Sequence, residues 1–401
     1  MNISRRDLLR SSAIAMAGLA TSPQWLRVGG HAQAAEPESV LVTLFLRGAA
    51  DGLSLAVPHG DPDYYTLRPH IQVPPGTEVD LDGFYGLHPH LAPLLPIYSS
   101  GHMAISHAFG SPHPSRSHFE AQDFMERAAP GRNDIQDGWL NRTLSGLGGA
   151  QTYTGISVGG ALPPSLHGSE DVISMGGLDT FTLTQDREGT RRAAIEQIYA
   201  QVPDTLLGDQ LAHTFDAVDG LQNLPAPTID YPATKLGARL RDASRIIRGR
   251  VGTRILSLDL DGWDHHSGAV AGMDKMAPEL AQALAAFWTD LGTDQQRVIC
   301  LVMTEFGRTA AENGSLGSDH GHGSAMFALG GPIQGGQVIT SNGGWPGLGP
   351  AQLYQGRDLA VTTDFRDVFA EIADKHLGLQ DLTPLFPDFA ADPAHYPGLL
   401  A

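Results

Sequence analysis

Four short segments, far apart in the chain, carry the carboxylates, imidazoles and hydroxyls that a divalent-metal hydrolase uses. They are Asp51 in Arg47-Gly-Ala-Ala-Asp-Gly, Ser117-His118 in Pro-Ser-Arg-Ser-His-Phe, Asp264-His265-His266 after Gly-Trp, and Asp319-His320-Gly-His322. Carboxylates and imidazoles gathered in one place are costly unless a cation holds them together, so a metal site is the first expectation. Asp51, Asp264, His266, Asp319 and His320 are its candidate ligands, with Glu305, His265, His322 and His118 as further ones. Oxygen and imidazole donors without sulfur suit Zn, Mg, Mn, Ca or Fe rather than copper or an iron–sulfur centre. Asp264 and His266 lie two apart, which in an extended segment puts both on one face and turns His265 away. Asp319 and His320 are adjacent, so both reach one site only from an irregular loop, which the flanking Gly317 and Gly321 allow.

Ser117 is the candidate nucleophile and Ser115 the runner-up. A hydroxyl at a helix start meets free backbone N–H groups and a positive dipole end, both favourable to an anion such as phosphate. With Glu120 three residues on, Ser117 also has the spacing of a capping box. Arg116, Arg308 and Arg47 are candidates to grip the non-bridging oxygens of phosphate or sulfate. His88, His90 and His113 read as loop caps or packing.

The elements that must position these groups alternate. Ser39 to Leu46 is almost entirely β-branched or apolar and reads as a strand buried on both faces. Further strands are expected at 103–108, 152–158, 254–260, 297–304 and 324–329. Helical patterns are expected at 117–127, 191–201, 206–221, 233–248, 273–291 and from Thr363 to about Leu377. Strands alternating with helices predict a largely parallel, doubly wound sheet with helices on both faces. In such a sheet, ligands bind in the crevice outside the C-terminal ends of the strands.

The first residues are read as export signal rather than fold. Ser4-Arg5-Arg6-Asp7-Leu8-Leu9-Arg10, an uncharged stretch and Ala32-Gln33-Ala34 form a twin-arginine leader, with cleavage expected after Ala34. Residues 35–401 then make a single α/β domain in the periplasm or outside the cell, delivered by the twin-arginine machinery and without a membrane span. The formal charge is −18, and the leader contributes +3, so the remainder carries about −21. That surface argues against nucleic acid and anionic membranes as partners. It leaves room for a small anionic ester, because bound cations reverse the local sign. The one cysteine, Cys300, sits in an apolar run and reads as an inert core thiol.

Six motifs, in order, carry a resemblance. Phe-Leu-Arg-Gly-Ala-Ala-Asp-Gly-Leu, Ser-Arg-Ser-His-Phe-Glu-Ala-Gln, Asp-Gly-Trp-Asp-His-His, Thr-Glu-Phe-Gly-Arg-Thr, Ser-Asp-His-Gly-His-Gly-Ser-Ala-Met and Thr-Thr-Asp-Phe-Arg resemble the exported domain-of-unknown-function 1501 family. That family is in turn similar to the alkaline phosphatase and sulfatase superfamily. The resemblance implies the three-layer α/β/α form of such a sheet, an alkaline-phosphatase-like sandwich with metals at strand ends and a hydroxyl nucleophile at a helix start. It assigns Asp51 as an early metal ligand, Ser117 as nucleophile, and Asp264 with His266 and Asp319 with His320 as ligand pairs. Asp261 with His265 fits the superfamily's wider spacing, whereas Asp264 with His266 fits the closer family's. Glu305 stands where a superfamily Asp-His pair is expected, and the sulfatase Cys-x-Pro-x-Arg motif is absent. The activity implied is hydrolysis of phosphate or sulfate esters with one or two divalent ions. A non-catalytic metal-stabilised binding protein and a phosphotransferase or phosphomutase are the competing readings.

Overall fold

The computed structural model describes residues 39–149, 152–181, 197, 218–221, 223–340 and 343–401. The expected leader and the helical patterns at 191–201 and most of 206–221 lie outside these. The central strand, β1 (Val40–Arg47), shows why its sequence is apolar without alternation. Val40, Val42, Leu44 and Leu46 enter one hydrophobic cluster, while Leu41 and Phe45 enter a second on the opposite face. Fully burying a side chain of this size is worth roughly 1.5–3 kcal/mol, so a strand of such residues is stable only between two covering layers.

Those layers are helical. The helices used below are α1 (Gly52–Leu55), α2 (His118–Glu126), α3 (Trp139–Gly146), α4 (Lys235–Arg248), α5 (Ala269–Leu291) and α6 (Phe365–Glu371). Helices α4 and α5 bury Leu240, Ile246, Leu280 and Phe287 in the first cluster. Helices α3 and α6 bury Leu144, Val368 and the stacked pair Trp139–Phe369 (ring centroids 4.2 Å apart) in the second. The architecture is therefore the expected α/β/α sandwich.

The other strands are β2 (Ala56–Val57), β3 (Val79–Asp80), β4 (Gly86–Leu87), β5 (Met103–Gly110), β6 (Gly155–Val158), β7 (Ile173–Met175), β8 (Ile255–Asp261), β9 (Val298–Met303), β10 (Ser324–Gly330), β11 (Gln337–Ile339) and β12 (Thr363–Asp364). The main sheet runs β11-β5-β10-β9-β1-β8-β6-β7, with β12 also pairing with β5. Strand β1 is parallel to both neighbours, Leu44 lying opposite Leu258 and Val302. One strand runs the other way: β10 is antiparallel to both β5 and β9, with Phe327 opposite Ile105 and Val302. Its first residue, Ser324, thus stands at the sheet edge where its neighbours end. The residues just before it arrive at the same crevice as those just after β1, β5, β8 and β9. The short β2-β4-β3 sheet was not foreseen, because two-residue strands carry no readable period.

Two boundaries differ instructively from the sequence reading. Helix α5 begins at Ala269 rather than Met273, because Ala269 N–H donates to the Leu316 carbonyl at 2.8 Å and starts the helix from a tertiary contact. Helix α6 is shorter and passes into a wider turn over Ile372–His376. Cys300 is buried among apolar residues, and burial pushes its thiol up to about 12, so it is chemically quiet. No described helix is long and apolar enough to cross a membrane.

Candidate metal centre

At the C-terminal edge of the sheet, three imidazoles turn their Nε2 atoms toward one carboxylate. Asp264, three residues beyond β8, lies 3.4 Å from His118 Nε2, 3.2 Å from His266 Nε2 and 3.4 Å from His320 Nε2. His118 is the first residue of α2, His266 follows Asp264 in the same loop, and His320 comes from the segment entering β10. Donor atoms of His118, Asp264 and His320 all lie within 4.8 Å of one another.

The Nδ1 side of each ring fixes what its Nε2 can do. His118 Nδ1 is 2.8 Å from Glu305 Oε1, His266 Nδ1 is 3.1 Å from Asp319 Oδ1, and His320 Nδ1 is 2.7 Å from the Arg116 carbonyl. Carboxylates and carbonyls only accept, so each Nδ1 carries a proton and Nε2 is the nitrogen left for a metal ion or a second proton. His266 Nε2 and His320 Nε2 are 2.8 Å apart, so the two rings share a proton or face a common cation. His118 Nε2 is buried and makes no hydrogen bond. Nitrogens crowded in this way around a carboxylate need positive charge between them, from a proton or from a metal ion. An imidazole whose other nitrogen donates to a carboxylate or carbonyl is also the usual arrangement behind a metal-bound histidine. The residues therefore fit a divalent ion held by nitrogen and oxygen.

Charge agrees with geometry. Glu305 and Asp264 face opposite ends of the His118 ring, and chiefly the Glu305 hydrogen bond holds its pKa above the ordinary value. Two anions thus favour positive charge at this point, carried by a proton or by a metal. Burial alone would raise the Glu305 carboxyl, but hydrogen bonds from His118, Gln122 and the Gly48 N–H outweigh it and keep the group ionised. Asp264 is likewise held low despite partial burial, through the Arg308 guanidinium at 2.5 Å. Burial lowers the His320 pKa and keeps that ring neutral. The site is walled on one side, where Glu305 and Arg308 are 0% and 1% exposed, and open on the other, where Asp264 and His266 are 45% and 46% exposed.

Backbone approach makes the arrangement feasible. A Cβ on Gly321 would stand 2.3 Å from the Arg308 carbonyl carbon, and one on Gly317 the same distance from that of His266. These glycines are needed for close packing of chain against chain, whereas the irregular loop itself needs no left-handed residue at either position.

The sequence model of a family described as "Protein of unknown function (DUF1501)" matches residues 100–385. The chain belongs to that family. No curated protein matches it. Among solved structures it is similar to the alkaline phosphatase of the Antarctic bacterium TAB5 (12% identity, 76% of this chain and 95% of that one, TM-score 0.32). It is also similar to the C-terminal periplasmic domain of EcEptC from Escherichia coli in complex with Zn (10%, 93% and 96%, 0.37) and to the PsFucS1 sulfatase from Pseudoalteromonas sp. (10%, 99% and 77%, 0.39).

Within this DUF1501 chain, the residues singled out from sequence separate into three places. Asp264, His266 and His320 are at the centre, joined by His118. Asp319, Glu305 and Arg308 stand behind them: Asp319 accepts from Asn313 Nδ2 at 3.1 Å as well as facing His266. All three nitrogens of the buried Arg308 guanidinium donate within the protein, to the carbonyls of Gly48, Ala49, Trp263 and Ser318 and to Asp264. It is thus a positioning residue with no free face for an ester. The third group lies elsewhere. Asp51 is buried in a two-pronged ion pair with Arg68, at 2.5 and 3.1 Å, and accepts from Ser54 Oγ. His322 is buried and stacked on Tyr354, and burial lowers its pKa to about 4. The His265 ring lies over Gly272 of α5. The Arg116 guanidinium is spent on Asp358 and Gln355, and that of Arg47 on Glu126, Asp259 and Gln122.

Ser117 is the N-cap residue of α2, yet its side chain makes no cap hydrogen bond. The expected capping box does not form, because Glu120 accepts from Ser115 Oγ at 2.7 Å and Ser115 Oγ accepts from Ser117 N–H at 3.2 Å. Ser115 is therefore the committed hydroxyl. Ser117 sits between Arg116, whose carbonyl binds His320, and His118. The sequence reading missed Arg68, Gln122 and Asn313. Only a rule that a buried carboxylate needs a cation could have announced Arg68, and it does not say which one.

Proposed function

We propose that this protein is an exported metal-dependent hydrolase of phosphate or sulfate esters in which Ser117 is the nucleophile. The carrying observation is the convergence of three Nε2 atoms on Asp264, one of them from His118, the residue after an N-cap serine whose hydroxyl caps nothing. A divalent ion bound there lowers the pKa of a neighbouring oxygen and takes up negative charge of the ester. Ser117 Oγ attacks phosphorus or sulfur; the ester oxygen departs with the bonding pair and takes a proton. Water then attacks the seryl ester, frees phosphate or sulfate and restores the hydroxyl. The first backbone N–H groups of α2 point toward incoming anionic oxygens. On this reading residues 1–34 are the twin-arginine leader and residues 35–401 a single α/β domain.

One observation favours a second reading, a metal-stabilised binding protein without turnover. The guanidinium groups of Arg116, Arg308 and Arg47 are all engaged in internal ion pairs, which limits what they can offer an ester. Acid quench after incubation with an aryl phosphate and an aryl sulfate separates the two. The hydrolase yields a phosphorylated or sulfated peptide containing Ser117, and metal-loaded protein that yields neither is the binding protein.

A further inference from the structure

From the same cluster we infer that the protein binds one metal ion per chain, held by His118, Asp264, His266 and His320, and that Arg68 stands in for a second cation by neutralising Asp51. This rests on the metal-dependent reading above and narrows it. A centre with two ions needs a second set of ligands with uncommitted lone pairs. Of the remaining carboxylates at this edge of the sheet, Asp51 and Glu305 have both oxygens engaged by the protein, and Asp319 has its Oδ1 engaged, which leaves no second set of ligands. Asp51 has both oxygens on the Arg68 guanidinium, which also donates to the carbonyls of Thr309 and Ala310 and is 0% exposed. Burial would raise the Asp51 carboxyl, yet Arg68 and Ser54 together hold it below its ordinary value without any ion. Glu305 has Oε1 on His118, Gln122 and the Gly48 N–H, and Oε2 on Thr304 Oγ1. Asp319 faces His266 and Asn313.

The contrast is one of chemistry. Around Asp264 three imidazole Nε2 atoms converge with only a proton or a metal ion to share, whereas around Asp51 the Arg68 guanidinium already supplies the cation. A guanidinium is always charged and cannot be displaced by chelation or acid, so the Asp51 position is permanently filled. Three imidazoles and one carboxylate also match the four-ligand habit and donor preference of Zn better than the all-oxygen demand of Mg or Ca.

Metal content after equilibrium dialysis against Zn2+, followed by elemental analysis of the full-length mature protein, tests this directly. Saturation at one equivalent per chain is expected, and His118→Ala or His320→Ala should each weaken the site by at least about tenfold. Saturation at two equivalents would overturn the single-ion assignment while leaving the hydrolase reading standing. Zero equivalents would remove both. Removing Asp51 alone strands Arg68 and threatens folding, so the paired change Asp51→Leu with Arg68→Met is the second probe. It should still take up one equivalent, and loss of that equivalent in a folded double variant would make Asp51 a ligand after all.

Discussion

Asp51 and Asp264 follow adjacent parallel strands of one sheet by four and three residues, and they meet opposite fates. Asp51 is 5% exposed and clasped by a guanidinium of its own chain. Asp264 is half exposed, touches one guanidinium, and faces three imidazoles whose free nitrogens all point at it. A buried carboxylate must be paired, and a cation of the chain stabilises it unconditionally, whereas one taken from solution does so only as far as its concentration exceeds its dissociation constant. The difference also matters to chemistry. A covalent cation closes a structural joint, whereas an ion taken from solution would leave coordination open to a further ligand. The position of an aspartate after a strand therefore says where it sits; the neighbour that arrives from elsewhere in the chain says what it does.

The sharpest break of this comparison comes from the hydroxyl beside the open site. Ser117→Ala should lower turnover of an aryl ester by at least about a thousandfold while leaving metal content unchanged, since removing a nucleophile forfeits most of the catalytic gain. Activity within tenfold of wild type would take Ser117 out of the reaction. Asp51→Ala should do the reverse. It leaves Arg68 buried without a counter-ion and should cost about 3–5 kcal/mol in urea unfolding, with metal uptake at the Asp264 cluster preserved in the folded fraction. Equal loss of metal and stability would mean that the two aspartates belong to one site.

How much of this was legible beforehand follows from what periodicity can carry. β1, β5, β8, β9 and β10 were each visible as mainly apolar runs, because burial on both faces of a sandwich leaves few polar residues, such as Thr43, Ser106, His107 and Ser257, to interrupt the pattern. The reversal of β10 was not visible, since a run of apolar residues reads the same in both directions. That reversal brings His320 to the crevice from the entrance to a strand rather than its exit. Asp264, His266 and His320 could be singled out because carboxylates and imidazoles near strand ends are few. His118 was only a secondary candidate, and its placement depends on α2 lying across the end of β9 so that Glu305 can grip its Nδ1. Arg68 lies in Leu67-Arg68-Pro69, a segment with no periodic signal, and Asp51 looked free for want of it. The Ser117 capping box was a sound local expectation that lost to a competing hydrogen bond from Ser115.

A smaller effect probes the layer behind the open site. Glu305→Gln keeps the size of the side chain but removes the charge that orients His118. Metal affinity should fall about 10–100-fold with little change in the folded structure, the usual cost of losing the group that orients a metal-bound histidine. A loss confined to stability, with affinity untouched, would place Glu305 on the structural side of the comparison alongside Asp51.

The smallest effect is a pH dependence that belongs wholly to the structural side. His107 in β5 is 0% exposed, its Nε2–H donates to the Ala56 carbonyl at 2.7 Å, and its Nδ1 accepts from the Ala108 N–H at 2.9 Å. The neutral ring is thus satisfied at both nitrogens, and burial lowers its pKa to about 4 from the ordinary 6.5. Between those values the unfolded chain binds the proton and the folded one does not. The stabilisation is therefore complete above pH 6.5 and disappears as pH falls toward 4. By pH 6 the loss should be on the order of 1 kcal/mol. Metal release from the open site would also lower stability in acid, so the measurement is a difference. Urea midpoints at pH 7.5 and pH 6 are compared between wild type and His107→Gln, whose amide can still donate to Ala56. The variant should lose less stability across that interval. An identical pH response in both proteins would mean that the acid sensitivity resides entirely in the imidazoles around Asp264.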